Sequence, residues 1–163
     1  MKRVVIKIGS STLVDSGKVD AAFIGSLAAD CAALIKDDEV QPIIVSSGSI
    51  ALGLDILGFG GGERPNDMPT LQAAASVGQV GLIRQYRDTF ALFGVNVGQV
   101  LITRATTGER ESYLHARDTI ERLLELGVVP IINENDTVAV EEIRFGDNDT
   151  LAAMVATSIN ADL

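Results

Sequence analysis

Tryptophan is absent, cysteine and histidine occur once each, and aromatic residues make up only 4% of the sequence. The lone cysteine, Cys31, excludes an internal disulfide and suits a reducing cytoplasm, so a cytoplasmic location is expected. The lone histidine, His115, has no second His or Cys beside it in a motif, which argues against a metal centre or a histidine-activated nucleophile. Long apolar runs are also missing: nothing approaches the ~20 residues needed to cross a bilayer. The start, Met1-Lys2-Arg3-Val4-Val5-Ile6-Lys7, turns polar too soon for a signal peptide. No membrane partner is expected. With a net charge of −9, the chain lacks the cationic excess of a broad nucleic-acid footprint. Two familiar phosphate signatures are missing as well, the Walker A sequence and a Gly-x-Gly-x-x-Gly opening a helix.

What is present is a Val, Ile, Leu and Ala-rich chain, 47% hydrophobic with a mean hydropathy of +0.28. Its 163 residues are enough for one domain with a core, and the composition fits an α/β protein with a buried parallel sheet. Short β-branched runs at Val4–Ile8, Pro42–Val45, Asn96–Ile102 and Val128–Ile132 read as strands. Helical periodicity is predicted over Val19–Lys36, Ser49–Leu57, Thr70–Phe93, Arg110–Leu126 and from Asp147 to Ile159. Gly127 reads as a helix C-cap and 58–65 as a flexible glycine-rich loop. The alternation predicts a three-layer αβα sandwich with a mainly parallel sheet. Asn160-Ala161-Asp162-Leu163 reads as a turn into a further strand, so the chain reads as cut at an element boundary. That cut is expected to leave the helix face of Met154 and Val155 short of its packing layer.

In open parallel sheets, ligands bind beyond the carboxyl ends of the strands. Polar clusters fall at those ends: Gly9-Ser10-Ser11, Ser46-Ser47-Gly48-Ser49, Thr103-Arg104 and Asn133-Glu134-Asn135-Asp136. Glycine allows backbone N–H groups to approach a phosphate closely, so these loops together suit a small anionic ligand. Plainer readings compete. Lys7 could snorkel from a strand end; Ser46, Ser47 and Ser49 could be helix caps; Asp147, Asn148 and Asp149 could form a cap and an Asx-turn. Cys31 lies on an apolar helix stripe and reads as core. Asp37-Asp38 and Glu141-Glu142 read as solvated surface.

Six stretches resemble the glutamate 5-kinase branch of the amino-acid kinase family. They are Lys7-Ile8-Gly9-Ser10-Ser11, Val45 to Ala51, Gln72 to Gln79, Leu101-Ile102-Thr103-Arg104, Ile131 to Asp136, and Phe145-Gly146-Asp147-Asn148-Asp149. They stand in the family's order and span nearly the whole chain. The Asn-Glu-Asn-Asp and Gly-Asp-Asn-Asp stretches carry most of the specificity, and they also occur in the kinase half of bifunctional pyrroline-carboxylate synthases. The resemblance implies phosphorylation of the L-glutamate side-chain carboxylate by ATP, the first step of proline biosynthesis, with Mg²⁺ carried on the nucleotide. It implies Lys7 and Asp149 as catalytic residues, Lys7 meeting the transferring phosphoryl group and Asp149 orienting the catalytic lysines. Gly9, Ser10 and Ser11 would join Lys7 in contacting phosphate. Ser47, Asp136 and Asn148 would bind glutamate, Asp136 at its ammonium and the other two at its oxygens. A glutamate carboxylate, with a pKa of about 4.3, is already ionised at neutral pH, so no general base is required. Proline as a feedback inhibitor and a homo-oligomeric assembly are further implications.

Two departures from the family pattern stand out. Ser49 replaces a more common Ala. The family continues with a Gly-rich nucleotide loop and a second catalytic lysine, whereas the lysines here are only Lys2, Lys7, Lys18 and Lys36. The chain therefore reads as the amino-terminal, substrate-binding part of a kinase domain, without the nucleotide-binding remainder and the PUA domain, and inactive by itself. The alternative is a non-catalytic module that binds glutamate or proline, or serves assembly. A different amino-acid kinase, acting on acetylglutamate, aspartate or a nucleotide, is disfavoured by the 133–136 and 146–149 stretches.

Overall fold

A computed structural model describes residues 1–15, 17–37, 39–103, 110–138 and 148–163, with the side chains of 110–112 set aside. The elements are β1 (Lys2–Ile8), α1 (Ser10–Leu13), β2 (Val14–Asp15), β3 (Lys18–Val19), α2 (Ala21–Asp37), β4 (Val40–Ser46), α3 (Ser49–Ile56), α4 (Met68–Ala91), β5 (Asn96–Ile102), α5 (Arg110–Glu125), β6 (Val128–Glu134) and α6 (Asn148–Ser158). Arg104, Asp38, Glu141, Glu142 and Phe145 to Asp147 lie outside the described residues.

The long strands form one parallel sheet in the order β1-β4-β6-β5, so β4 and β6 are central. Their sequences, VQPIIVS and VVPIINE, are almost wholly buried, as expected of parallel strands covered on both faces. Because side chains alternate across a strand, Ile44, Val129 and Ile131 join one core, against Ile24, Ala28 and Cys31 of α2 and Leu82, Tyr86 and Phe90 of α4. Ile43, Val45 and Ile132 join the other, against Ile120 and Leu124 of α5 and Leu151, Val155 and Ile159. This is the expected α/β sandwich. Cys31 is fully buried, and burial pushes its thiol up to about 12, so it acts as a neutral core side chain. Among the described residues no helix is long and apolar enough to cross a membrane.

Several boundaries differ from the sequence reading, each for a local reason. Val19 belongs to a two-residue antiparallel ladder, Val14↔Val19 and Asp15↔Lys18, so α2 starts at Ala21. Strands of two residues leave no periodicity to detect. Ser10 and Ser11, read as loop, lie in the short helix α1. The helix predicted from Thr70 begins at Met68, with Pro69 in its first turn and the Asp67 carboxylate accepting from the Thr70 N–H at 3.0 Å. Gly127 does end its helix, at φ +69°. After Asn160, in the left-handed region at φ +50°, the chain runs beside β1: the Asp162 N–H donates to Arg3 O at 2.8 Å and the Val5 N–H to Leu163 O at 2.7 Å. The expectation of an uncovered face at Met154 and Val155 is not met. Val155 is buried and Met154 packs against the same core, because the opposing layer of β1, β4 and β6 is already in place.

Helices α3 and α4 approach more closely than side chains would allow. A Cβ built on Gly53 would lie 1.8 Å from Ala74 O, and one on Gly78 would lie 1.8 Å from Ser49 O. This contact seats Ser49 and Gln79 beside the end of β6.

Candidate active site

All four long strands point the same way, so their carboxyl ends converge on one edge of the sheet. β1 delivers Lys7 and Gly9 there, and the Ser47 N–H donates to Ile8 O at 3.1 Å, tying the turn after β4 to the turn after β1. Gly48 takes φ +100° between β4 and α3, a conformation that side-chain-bearing residues seldom adopt. The Lys7 ammonium folds back over the β1 turn, where a Cβ on Gly9 would sit 3.8 Å from Nζ. It also pairs with Asp149 Oδ1 at 2.7 Å. The two side chains are 32% and 75% exposed, so solvent screens the pair and its contribution to stability is small. Its consequence is positional: Lys7 is held over the Gly9 turn.

A polar track begins at the residue before Asp149 and leads into the fold. Asn148, at the start of α6 and only 8% exposed, donates from Nδ2 to Ser46 O (2.9 Å), Ser47 Oγ (2.6 Å) and Asn133 Oδ1 (3.2 Å). Asn133 is buried at the end of β6. Its Oδ1 also accepts from the Glu134 N–H at 2.9 Å, while its Nδ2 donates to Gln79 Oε1 (2.9 Å) and Ser49 Oγ (3.3 Å). The Ser49 hydroxyl donates to Asp136 Oδ2 at 3.4 Å. Ser46 Oγ, beneath the track, pairs with the buried Tyr86 hydroxyl at 3.1 Å. Burial pushes that phenol up and keeps it neutral.

Asp136 opens onto a cavity of about 270 Å³ between α4 and the ends of β5 and β6. Ala75, Val80, Ile83 and Leu101 give it an apolar lining, and Gln99, Glu134 and Asp136 add a polar, acidic rim. Burial raises the Asp136 carboxyl from 3.8 to about 6, with the nearby Glu134 charge adding to the rise and the Ser49 hydroxyl opposing it. Such a pocket suits a small molecule that brings a cationic head to the acidic rim.

Lys7 and Asp149 thus meet directly, Ser47 and Asn148 meet directly, and Asp136 joins the second pair through Ser49 and Asn133. Ser10 and Ser11 open the short helix α1 that follows Gly9, with Ser11 exposed. His115 lies on α5, away from this track. Sequence reasoning placed Asn133 in a polar cluster without a role, and gave Gln79 none. Their importance rests on contacts across 54 and 84 positions of chain, which no local pattern encodes.

The chain matches the amino acid kinase family over residues 2–163. It is 50% identical over 163 residues to glutamate 5-kinase of Methylococcus capsulatus, covering 99% of this chain and 43% of that protein. Similarity to glutamate 5-kinase of Burkholderia cenocepacia is 51% identity over 162 residues, and to that of Burkholderia thailandensis 50%, with the same coverage of each. The chain therefore spans less than half the length of these relatives.

Proposed function

The chain belongs to the amino acid kinase family, and from that premise we propose that it is the amino-terminal, substrate-binding part of an ATP-dependent glutamate 5-kinase. The observation that carries the reading is a strand-end lysine, paired with Asp149, beside a polar track that runs from the adjoining Asn148 to an acid-rimmed pocket, an arrangement that matches a substrate with a carboxylate at one end and an ammonium at the other. Asp136 takes the ammonium. The Ser47 hydroxyl accepts from Asn148, so its own proton is directed outward toward a carboxylate oxygen. Asn148 spends its N–H groups on the protein and acts on the ligand chiefly by orienting Ser47.

ATP supplies the phosphoryl group. A side-chain carboxylate oxygen of glutamate forms the new P–O bond, the bond from γ-phosphorus to its bridging oxygen breaks, and ADP leaves with that electron pair. No proton has to move, so the protein contributes position and charge. Lys7 offsets the charge of the phosphoryl group, and Asp149 holds the ammonium in line. The glycine at position 9 leaves the turn open to phosphate, and Ser10 and Ser11 add polar contacts at its rim. Mg²⁺ fits as an ion held by the nucleotide phosphates, since it keeps most of its waters. Among the described residues no three His, Cys, Asp or Glu converge on one point. Proline binding at the same acidic pocket and homo-oligomerisation belong to this reading.

The test is substrate choice. The full-length protein is expected to form acyl phosphate, trapped with hydroxylamine, from L-glutamate and not from N-acetylglutamate, which lacks the ammonium. Equal rates on the two would refute the Asp136 pairing, and no turnover of either would refute the kinase reading.

Asp136 adds a pH prediction. Below about 6 the carboxyl is protonated and loses its attraction for an ammonium, so KM for glutamate is expected to climb by about tenfold per pH unit as pH falls further. For folding the sign is opposite. The folded state holds this proton more tightly between 3.8 and about 6, so the Asp136 contribution to stability is present at low pH and lost as pH rises through that window. Asp136→Asn should flatten both slopes; a KM profile in the wild type that is level from pH 7 to pH 5 would contradict the assignment.

A further inference from the structure

Asn148, which meets Ser47, is held by the Ser46 carbonyl and by Asn133, and Asn133 can accept from it only while its amide keeps one of its two possible orientations. Its Oδ1 must face the Glu134 N–H and Asn148 Nδ2, so its Nδ2 must face the opposite side. On that side stand two acceptors. Ser49 is a hydroxyl that can rotate and exchange donor for acceptor, and it also donates to Asp136. Gln79 Oε1, at 2.9 Å, makes the shorter of the two contacts. Gln79 comes from α4, the helix that also brings Tyr86 to Ser46 beneath the track. It reaches Asn133 because Gly78, the residue before it, lets α4 press onto the backbone of Ser49.

We infer that Gln79 is a positioning residue for substrate binding, its side-chain carbonyl holding Asn133 in the orientation that lets Asn148 set the Ser47 hydroxyl. The inference rests on the proposed function for its substrate. Without the Gln79 acceptor, a buried Asn133 N–H loses its partner, and an amide flip would set Asn133 Nδ2 against the Glu134 N–H and Asn148 Nδ2, donor against donor. The result is a Ser47 hydroxyl no longer directed at the ligand. Phosphoryl transfer, which depends on Lys7, is not touched.

The experiment uses the full-length protein with Gln79→Met, which keeps the length and removes the acceptor. KM for glutamate is expected to rise by about tenfold, the worth of one ordinary hydrogen bond, with kcat and KM for ATP changed by less than about twofold. Gln79→Glu retains an acceptor and should restore much of the affinity. In an Asn133→Ala background, Gln79→Met should add nothing, since the effect travels through Asn133. Additive effects in that cycle, or a fall in kcat as large as the rise in KM, would overturn the inference. If Asn133→Ala does not fold, the side-chain amide resonances of Asn148 in Gln79→Met decide. They should shift by comparison with wild type, and unchanged resonances would overturn the inference whatever the activity. A wild type inactive on glutamate would instead sink the proposed function, while the amide resonances still judge the positioning role.

Discussion

Lys7→Ala in the full-length protein is expected to cut kcat by about 10²–10³ while leaving KM for glutamate within a few-fold, the loss being about 2.7–4 kcal/mol by analogy with an oxyanion donor. The ammonium is held over the Gly9 turn by Asp149 at 2.7 Å, where the phosphoryl group would pass. Under the proposed function, a charge so placed would meet the transition state more closely than the resting substrate, and only such a difference accelerates a reaction. The same geometry explains why Asp149→Ala should be milder than Lys7→Ala: it removes the restraint and keeps the charge. Stability should hardly change in either variant, because an ion pair this exposed contributes little. Steady-state kinetics with hydroxylamine trapping would read both effects. Should kcat survive Lys7→Ala within a few-fold, the lysine is only a snorkelling strand end.

The second large effect falls on folding, at the contact of α3 with α4. In an ordinary helix interior, replacing Gly by Ala stabilises by about 1 kcal/mol. At Gly53 and Gly78 the sign should reverse. The added Cβ would lie 1.8 Å from a backbone carbonyl oxygen in each case, and a backbone atom cannot rotate away as a side-chain tip can. Gly53→Ala and Gly78→Ala are each expected to destabilise by about 3 kcal/mol, the upper end of overpacking costs. Gly25 is the control. It lies within α2 with nothing inside 4 Å of its built Cβ, so Gly25→Ala should gain up to about 1 kcal/mol. Urea unfolding of the three variants beside wild type tests the reversal directly. A Gly78→Ala protein as stable as the Gly25→Ala protein would show that the helices separate freely. Separation would also draw Ser49 and Gln79 away from Asn133, so surviving Gly78→Ala protein should bind glutamate more weakly.

The elements and their order could be read along the chain because each leaves a local trace. β4 and β6 carry β-branched pairs and triplets, Ile43-Ile44-Val45 and Val128-Val129 with Ile131-Ile132, that end in polar turns, and α2 repeats its apolar residues at helical spacing around Ile24, Ala28 and Cys31. Gly127 announced the end of α5 by its position, and the left-handed φ is the reason a glycine stands there. The β2–β3 ladder left no trace, being two residues to a strand. α4 starts two residues before Thr70, where its apolar periodicity begins, because Asp67-Met68-Pro69 supplies both a cap and a first-turn proline.

By itself the sequence determined the layers of this protein, the strand-end clusters and the presence of Lys7, Ser47, Asp136, Asn148 and Asp149 among them. Hydrophobic periodicity and turn chemistry act over a few residues, and such information survives in one dimension. Only the tertiary structure decided the strand order β1-β4-β6-β5, the raised carboxyl of Asp136 and the line of contacts from Gln79 to Ser47. Those depend on which distant segments come within about 3 Å, the reach of a hydrogen bond, and on how much water is excluded around them. Gly78 shows the division in one residue: the sequence shows a glycine inside a helix, and the fold alone supplies the Ser49 carbonyl that requires it.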